Sequence, residues 1–419
     1  MMQPPAQPTL VSVAIVGGGL TGMAAALAMA AVGADVALVE RTGAAPVDLR
    51  TAALFPASVQ LLRRLGVWQD LAARAAPLTA IRVVDDTGWV LKAPQTMFWA
   101  HELNQPALAW NIPNAALGQA LAAAVTRSSA IIHVATAGPP SYRALPGGVE
   151  IATAEGHRLT ARLVVAADGR MSPLRQFAGI ATHQTTHDQA ALVTTFQHSR
   201  PHRGVSNEIH RDAGPLTTVP MPPLSDGRDR SSLVWVERPR EAARLLALGS
   251  EVFRVLLQTR LQGLLGRIDD ISPRMTFPLT TLEVNTFARN RIALIGEAAH
   301  VLPPIGAQGL NLGLRDVGDL AEVMRPLLDT GGDPGATSAL DRYDRRRRLD
   351  ATSRGRAVDL LNSSLASGAL PLQLARGLGL HLLNRIGPLK RAVMRGGANG
   401  LAPLPSLMRE DASVPPGPL

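Results

Sequence analysis

Residues 11 to 40 constrain the fold most. An apolar strand from Val13 to Val16 runs into GGGLTG, an Ala-rich helix follows, and a second strand, Asp35 to Val39, ends at Glu40. That order reads as one βαβ unit opening a parallel sheet. In Gly17-x-Gly19-x-x-Gly22 the first glycine permits a tight turn, the second lets backbone approach a pyrophosphate, and the third lets the helix pack closely. The helix N-terminus supplies a field for phosphates, and Glu40 has the position to accept hydrogen bonds from a ribose. We read the unit as a nucleotide cradle rather than a structural turn. Whether the nucleotide is FAD or NAD stays open at this point.

The chain's 419 residues exceed what one hydrophobic core usually organises, so two domains plus an appendage are expected. Hydrophobic residues make up 46% but aromatics only 3%, so the core has to be built from Ala, Leu and Val, in keeping with an α/β protein. The lack of cysteine excludes disulfides, thiolate catalysis and Cys-ligated metal sites, and leaves redox chemistry to a bound cofactor. A formal charge of +9 suits an anionic cofactor or an anionic membrane surface. No nucleic acid is expected as a partner, because the basic residues lie among helical Leu and Ala rather than among stacking aromatics. The opening MMQPPAQPTL carries no basic n-region or cleavage site, and no apolar run reaches the roughly 18 residues of a spanning helix. A soluble cytoplasmic protein is the expectation.

Beyond the first unit, helical stretches are expected near 57–65 and 115–125, with strands around 81–84, 131–135, 149–153 and 161–167. From about 185 to 285, alternating stretches such as ALVTTFQH, SNEIHR and SSLVWVER are separated by Pro, Gly and Asp, which indicates an antiparallel sheet. One helix, from about 240 to 265, interrupts it. A buried strand, RIALIG at 291–296, then leads through a loop to a helix at about 309–326. The expected organisation is a discontinuous cofactor domain (1–76, 112–184 and 285–335), a β-rich substrate domain (77–111 and 185–284), a helical C-terminal region (336–400) and a poorly ordered tail (401–419).

Two more segments carry chemistry. Asp168 and Gly169 follow the strand LVVAADG, at the carboxyl end of a parallel strand where ligands of open α/β sheets bind. GEAAHVLPPIGAQGLNLGLRDVGDLAE, residues 296–322, passes from a buried strand through a Pro- and Gly-rich loop into a helix. Such a loop exposes consecutive backbone N–H groups, suited to a phosphate or to the negative charge of a reduced flavin.

The last segment resembles the flavin-binding signature of class A flavoprotein monooxygenases, and above all that of the ubiquinone-biosynthesis hydroxylases. The similarity extends to VAIVGGGLTGMAAALAMA, LRTAALFPASVQLLRRLGVW at 49–68, VVDDTGWVLKAP at 83–94, NIPNAALGQAL at 111–121 and VVAADGRMSPLR at 164–175, so it spans roughly residues 11 to 400. The resemblance implies a Rossmann-like FAD-binding domain of the p-hydroxybenzoate-hydroxylase type, an inserted, mainly antiparallel substrate sheet, and a helical C-terminal region. It implies that Gly17, Gly19, Gly22, Glu40 and Arg41 hold the adenosine diphosphate half of FAD, with Arg50 reaching the cofactor from the loop after the second strand. Asn114 stands where relatives often have Arg or Gln near the ribityl chain. Asp168 and Gly169 match a motif linked to FAD and NAD(P)H, and Gly296 and Glu297 match a Gly-Asp pair near the ribityl and pyrophosphate. Pro304, Gly306, Gln308, Gly309, Leu310 and Asn311 would place backbone along the isoalloxazine ring. Glu297 in place of the commoner Asp is a departure, and Gly306-Ala307 reverses a common Ala-Gly order.

The implied chemistry is oxidation of reduced FAD by O₂ to a C4a-hydroperoxide whose distal oxygen attacks an electron-rich phenol, with NAD(P)H or a protein as electron donor. No side chain is assigned as catalyst. His300 is expected to bond neighbouring backbone rather than act as a base, because no partner carboxylate is visible in sequence. The pairs His183/His187 and His198/His202 lie in strand or loop, where that spacing does not converge on a metal, so no metal site is expected. Arg345 to Arg348 reads as a solvated helix face. LPLQLARGLGLHLLNRIGPLKRAVMRGG, from Leu370, suits either an interfacial amphipathic helix pair at the inner face of the cell membrane or a helical cover on the flavin domain. Three functions stay open: hydroxylation of a polyprenylated phenol, with other quinone-biosynthesis proteins as partners; hydroxylation of a small soluble aromatic or secondary metabolite; and an idle flavoprotein scaffold.

Overall fold

A computed structural model of the chain describes residues 8–43, 48–87, 94–304, 306–366, 379, 381, 385–400 and 402–410. Strands and helices are numbered in chain order. The first sheet runs β18 (Ala288–Arg289), β19 (Ile292–Leu294), β11 (Arg158–Ala166), β1 (Thr9–Val16), β2 (Val36–Arg41), β8 (Ile131–Thr136), and β10 (Gly148–Ala152) and β9 (Ser141–Leu145) fold antiparallel off β11. From β19 to β8 every pair is parallel. Unbroken apolar runs produce this: Val13–Val16, Val36–Val39 and Leu163–Ala166 are buried throughout, as strands covered on both faces must be. Helix α1 (Leu20–Ala31) packs on α3 (Asn114–Arg127) and α7 (Gln308–Asp329), and buries Ala24, Ala25, Ala26 and Ala28 in the main core. Small side chains let the helix axes approach closely, which is how a core poor in aromatics stays dense. Helix α2 (Pro56–Arg64) completes this layer.

The second sheet runs β20 (His300–Val301), β17 (Met275–Val284), β12 (Thr182–His198), β15 (Asp229–Glu237), β14 (Leu216–Met221), β13 (Val205–His210), β5 (Ala80–Asp85), β6 (Thr96–Trp99), with β16 (Ile268–Ile271) pairing β12. Its pairs are antiparallel except β13 with β5. Alternation splits its faces: Leu192, Phe196, Leu233 and Trp235 pack under α5 (Pro239–Ala247) and α6 (Ser250–Arg260), while Ala191, Val193, Ser232 and Val234 project the other way. The single helix expected over 240–265 is these two, broken where Leu248 and Gly249 adopt extended backbone. A third sheet, β3 (Thr51–Leu54), β7 (Ala109–Pro113), β4 (Ala76–Leu78), packs on β14 of the second sheet and on helices α2, α3 and α7.

The C-terminal region contains α8 (Thr337–Ala366) and α9 (Gly387–Asn399). Residues 402–410, expected to belong to a poorly ordered tail, are packed instead: Leu407 and Met408 are buried, Ser406 bonds Glu322, and Arg315 donates to the carbonyls of Ala402 and Pro403. Residue 401, residues 411–419, the stretch 367–378 with Arg376, and residues 88–93 of the motif at 83–94 lie outside the described residues. Among the described residues no helix is long and apolar enough to cross a membrane.

Candidate active site

The glycine turn joins β1 to α1 with the geometry its residue types demand. Gly17 has φ +116°, and a Cβ there would lie 2.2 Å from the Ala167 carbonyl oxygen. A Cβ on Gly22 would lie 1.8 Å from the Gly17 oxygen. Space opens only at Gly19, where a Cβ would meet nothing within 4 Å and no side chain caps the helix. The first-turn N–H groups of α1 are therefore left without a side-chain acceptor beside open space. Glu40, next to last in β2, lies beside Gly18, and its Oε1 is 2.8 Å from His133 Nε2 on the neighbouring strand. Arg41 is exposed next to it. His133 was not singled out in the sequence; only strand register, which pairs Leu38 with His133, brings it here.

Past the ends of β11 and β2, the structure links residues that the sequence left separate. Asp48 grips the Arg50 guanidinium twice, at 2.8 Å each, and accepts 2.9 Å from Asn114 Nδ2. The Asp48 bond holds the Arg50 guanidinium more firmly protonated than usual, and Arg50 lies over the Phe277 ring at 5.4 Å. Asp48 is a site residue the motifs did not reveal. Asn114 Oδ1 is buried without a partner. So is Asp168 Oδ1, while Asp168 Oδ2 accepts the Leu174 N–H at 3.1 Å. Burial pushes the Asp168 carboxyl above its ordinary range, against the pull of Ser172 and Leu174. Gly169 beside it has φ +84°. Two buried acceptors without donors mark a place where a polyhydroxy ligand would complete the bonding.

The third element is the loop from Gly296 to α7. Gly296 has φ +57°, and Glu297 is exposed towards Arg50. Gly306 and Ala307 are both left-handed, at φ +66° and +53°, so the reversed order puts a Cβ where glycine is favoured, at a cost of about 1 kcal/mol. Gly309 is exposed and Leu310 half-buried at the start of α7. Gln308 and Asn311 turn inward. Gln308 Nε2 bonds the Gly397 carbonyl on α9 at 3.1 Å. The Asn311 amide is saturated: it accepts from Phe55 N–H and Ser58 Oγ and donates to Ala53 and Ala307 carbonyls, all within 2.9 Å. Its side chain shapes the loop, leaving backbone to face a ligand.

Behind the loop lies an ionic cluster that corrects two expectations. His300 does have a carboxylate partner: its Nε2 is 2.7 Å from Asp316 Oδ2, which also accepts the Gly296 N–H at 2.8 Å. The partner sits sixteen places on, on the buried face of α7 and about two turns from its start, where sequence distance hides it. Arg347, read as part of a solvated face, is fully buried. It binds Asp316 at 2.6 Å, Asp319 at 2.8 Å and Asp350 at 3.1 Å. Arg346 binds Asp319 as well, and Arg348 binds Asp344. Burial alone would raise the Asp316 carboxyl, yet His300 and Arg347 hold it below its ordinary range.

Between these loops and the second sheet lies a cavity of about 550 Å³. Arg50, Asp168, Glu297 and Pro304 form one wall. Ala191, Val193, Val234, Phe277 and Leu279 form the opposite, apolar wall. An enclosure of this size fits a ring compound, and its position places that ring between the nucleotide-binding elements and an apolar sheet face. His198 at the end of β12 and His202 in the loop after it meet edge to face, and no group of three metal-ligating side chains occurs among the described residues.

A family model described as an FAD binding domain matches residues 10–354. The ubiquinone hydroxylase UbiL of Rhodospirillum rubrum is 37% identical over 388 residues, 91% of this chain and 88% of that protein. The 3-demethoxyubiquinol 3-hydroxylase of Escherichia coli is 31% identical over 399 residues, 93% of this chain and 98% of that one. The crystal structure of p-nitrophenol 4-monooxygenase PnpA from Pseudomonas putida DLL-E4 has the same fold, with a TM-score of 0.72 over 93% of this chain and 97% of that one, at 20% identity. The uncapped α1 turn, the Cβ-forbidding glycines and the two orphaned acceptors fit FAD, the cofactor this fold carries. The chain thus belongs to the FAD-dependent aromatic monooxygenases, in the family of the ubiquinone-biosynthesis hydroxylases.

Proposed function

We propose that this protein hydroxylates the aromatic ring of a polyprenylated phenol on the route to ubiquinone. The observation that carries this reading is similarity to two ubiquinone-pathway hydroxylases over nine-tenths of the chain, at 37% and 31% identity. FAD, reduced by NAD(P)H, supplies the activation of O₂ that delivers one oxygen atom to the ring. The chain supplies binding, orientation and dryness. Residues 1–76, 112–184 and 285–335 act as the cofactor unit, and 77–111 with 185–284 as the substrate unit. Gly17, Gly19, Gly22 and the α1 N-terminus hold the pyrophosphate, and Glu40 with Arg41 beside it takes the ribose. Asp168 Oδ1 and Asn114 Oδ1 accept ligand hydroxyls, Arg50 adds positive charge, and Gly169, Gly296 and Glu297 complete that wall. Backbone at Pro304, Gly306, Gln308, Gly309, Leu310 and Asn311 lines the ring. The apolar wall from Ala191 to Leu279 excludes water from the reacting carbon.

A prenyl tail requires access to a bilayer. Ile386, Leu389 and Val393 are 43%, 41% and 48% exposed, share one face of α9, and lie among Arg391 and Arg395. That pattern suits peripheral contact with anionic lipid. Lys390 turns inward to Glu102 at 2.8 Å and anchors the helix. The test is complementation of bacterial strains each lacking one quinone hydroxylase, with quinones extracted and weighed by mass spectrometry. Restoration of ubiquinone in one strain is expected. Purified protein that holds FAD but restores none of them overturns the reading.

A further inference from the structure

The largely apolar sheet wall of the cavity carries three hydroxyls, those of Thr194, Ser232 and Thr280. Ser232 on β15 is 4% exposed, yet it lines the cavity, in a row with Val234 and opposite Thr195 of β12. Its Oγ is 3.0 Å from Thr51 Oγ1, which lines the same cavity immediately after Arg50. Asn111, 1% exposed, reaches Ser232 Oγ with its Nδ2 at 3.5 Å. The Asn111 amide cannot be turned round, because the same Nδ2 donates to the Pro220 carbonyl at 2.8 Å. Asn111 is therefore a donor to Ser232, and its Oδ1 has no partner and takes no proton from the pair.

Counting protons then gives a definite result. Two hydroxyls carry two protons, and the bond between Thr51 and Ser232 uses one. Among the described residues no other acceptor meets either hydroxyl, so one O–H of the pair has no acceptor whichever member donates to the other. A buried donor without an acceptor is costly, and a ligand oxygen placed there recovers that cost. Arg50, whose charge is fixed by Asp48, borders the same space and favours an oxygen carrying negative charge.

We infer that Ser232, paired with Thr51 and oriented by Asn111, is a specificity-determining residue that takes the ring oxygen of the substrate. This rests on the prenylphenol reading and sharpens it: the pair accepts a phenol oxygen and turns away a ring without one. A hydroxyl is no base at neutral pH, so its part is to fix which ring carbon faces the flavin.

The test uses purified, FAD-bound full-length protein and two probes, ortho-prenylphenol and prenylbenzene, with binding read from the perturbation of the flavin absorbance. The parent should bind the phenol more tightly. Ser232→Ala should weaken phenol binding about tenfold and leave prenylbenzene unchanged, and Ser232→Thr should restore the preference. Ser232→Cys keeps the volume and weakens the donor, so it should fall between, which guards against a misfolded alanine variant. A preference for the phenol that survives in both Ser232→Ala and Ser232→Cys overturns the role of Ser232 alone. Equal weakening of both probes reduces the residue to a latch between sheets and also overturns it. A parent that holds FAD yet binds neither probe overturns the prenylphenol reading, and this inference falls with it.

Discussion

Two aspartates stand on opposite sides of the loop from Gly296 to Val301, and their surroundings differ. Asp316, behind it, is fully buried and saturated by Gly296 N–H, His300 and Arg347. Asp168, in front, leaves one buried oxygen without a donor. The guanidinium groups of the rear cluster also keep spare N–H groups, Arg315 Nη1 and Arg347 Nη2, but each has its remaining donors engaged. The contrast separates two uses of a buried charge. A carboxylate with partners on three segments fixes shape; an open acceptor reserves bonding capacity for a ligand. Since buried ion pairs rarely outperform apolar packing in stability, the rear cluster is best understood as specifying where the loop lies.

Breaking the rear should have the largest effect. Asp316→Asn removes one of the charges facing Arg347 and the anchor of the Gly296 turn, and should lower unfolding free energy by about 3–5 kcal/mol. Thermal denaturation of the apoprotein measures this, and a variant as stable as the parent would remove the basis of the contrast. The linkage follows from sign: the Asp316 carboxyl lies below its ordinary range, so its contribution is present above the unfolded-state value and is lost only as pH falls through the lower, folded one.

Changing the front should act on the ligand instead. Asp168→Asn should weaken FAD binding by about tenfold, roughly 1.4 kcal/mol, without lowering apoprotein stability, as titration with FAD and apoprotein melting would show. Because burial raises the Asp168 carboxyl, its charged form costs the apoprotein stability as pH rises through the ordinary value towards the raised one. FAD affinity should accordingly decline as pH falls through the raised value, and this decline should vanish in Asp168→Asn. Loss of stability equal to that of Asp316→Asn would merge the two roles. The smallest effect belongs between them: Ala307→Gly relieves a left-handed alanine and should stabilise by up to about 1 kcal/mol, with FAD affinity held within twofold. A marked loss of FAD would show that the alanine's conformation serves the site.

The cofactor half of the site was legible because its chemistry is local. Gly22 is required by its contact with Gly17 inside one βαβ unit, Gly17 by the left-handed backbone of its own turn, and the loop at 296–311 carries its own turn residues. Asp48, His133 and Ser232 were not legible, since each acts through a partner fixed by register or by crossing between sheets: Asp48 with Asn114, His133 with Glu40, Ser232 with Thr51. Arg347 misled for the same reason. A run of four arginines reads as a solvated face unless one knows that α7 offers Asp316 and Asp319 to the one that turns inward.

By itself, then, the chain's order of strand, glycine turn, helix and strand determined a nucleotide-binding sheet, and its motifs determined the family, because periodicity and turn chemistry are short-range properties. Tertiary structure alone decided that the C-terminal residues 402–410 pack on α7, that a buried ionic cluster backs the flavin loop, and that Ser232 meets Thr51 at the edge of the apolar wall. Those outcomes depend on which distant side chains share a buried volume, and burial sets whether a charge or hydroxyl is satisfied, costly or free to bind.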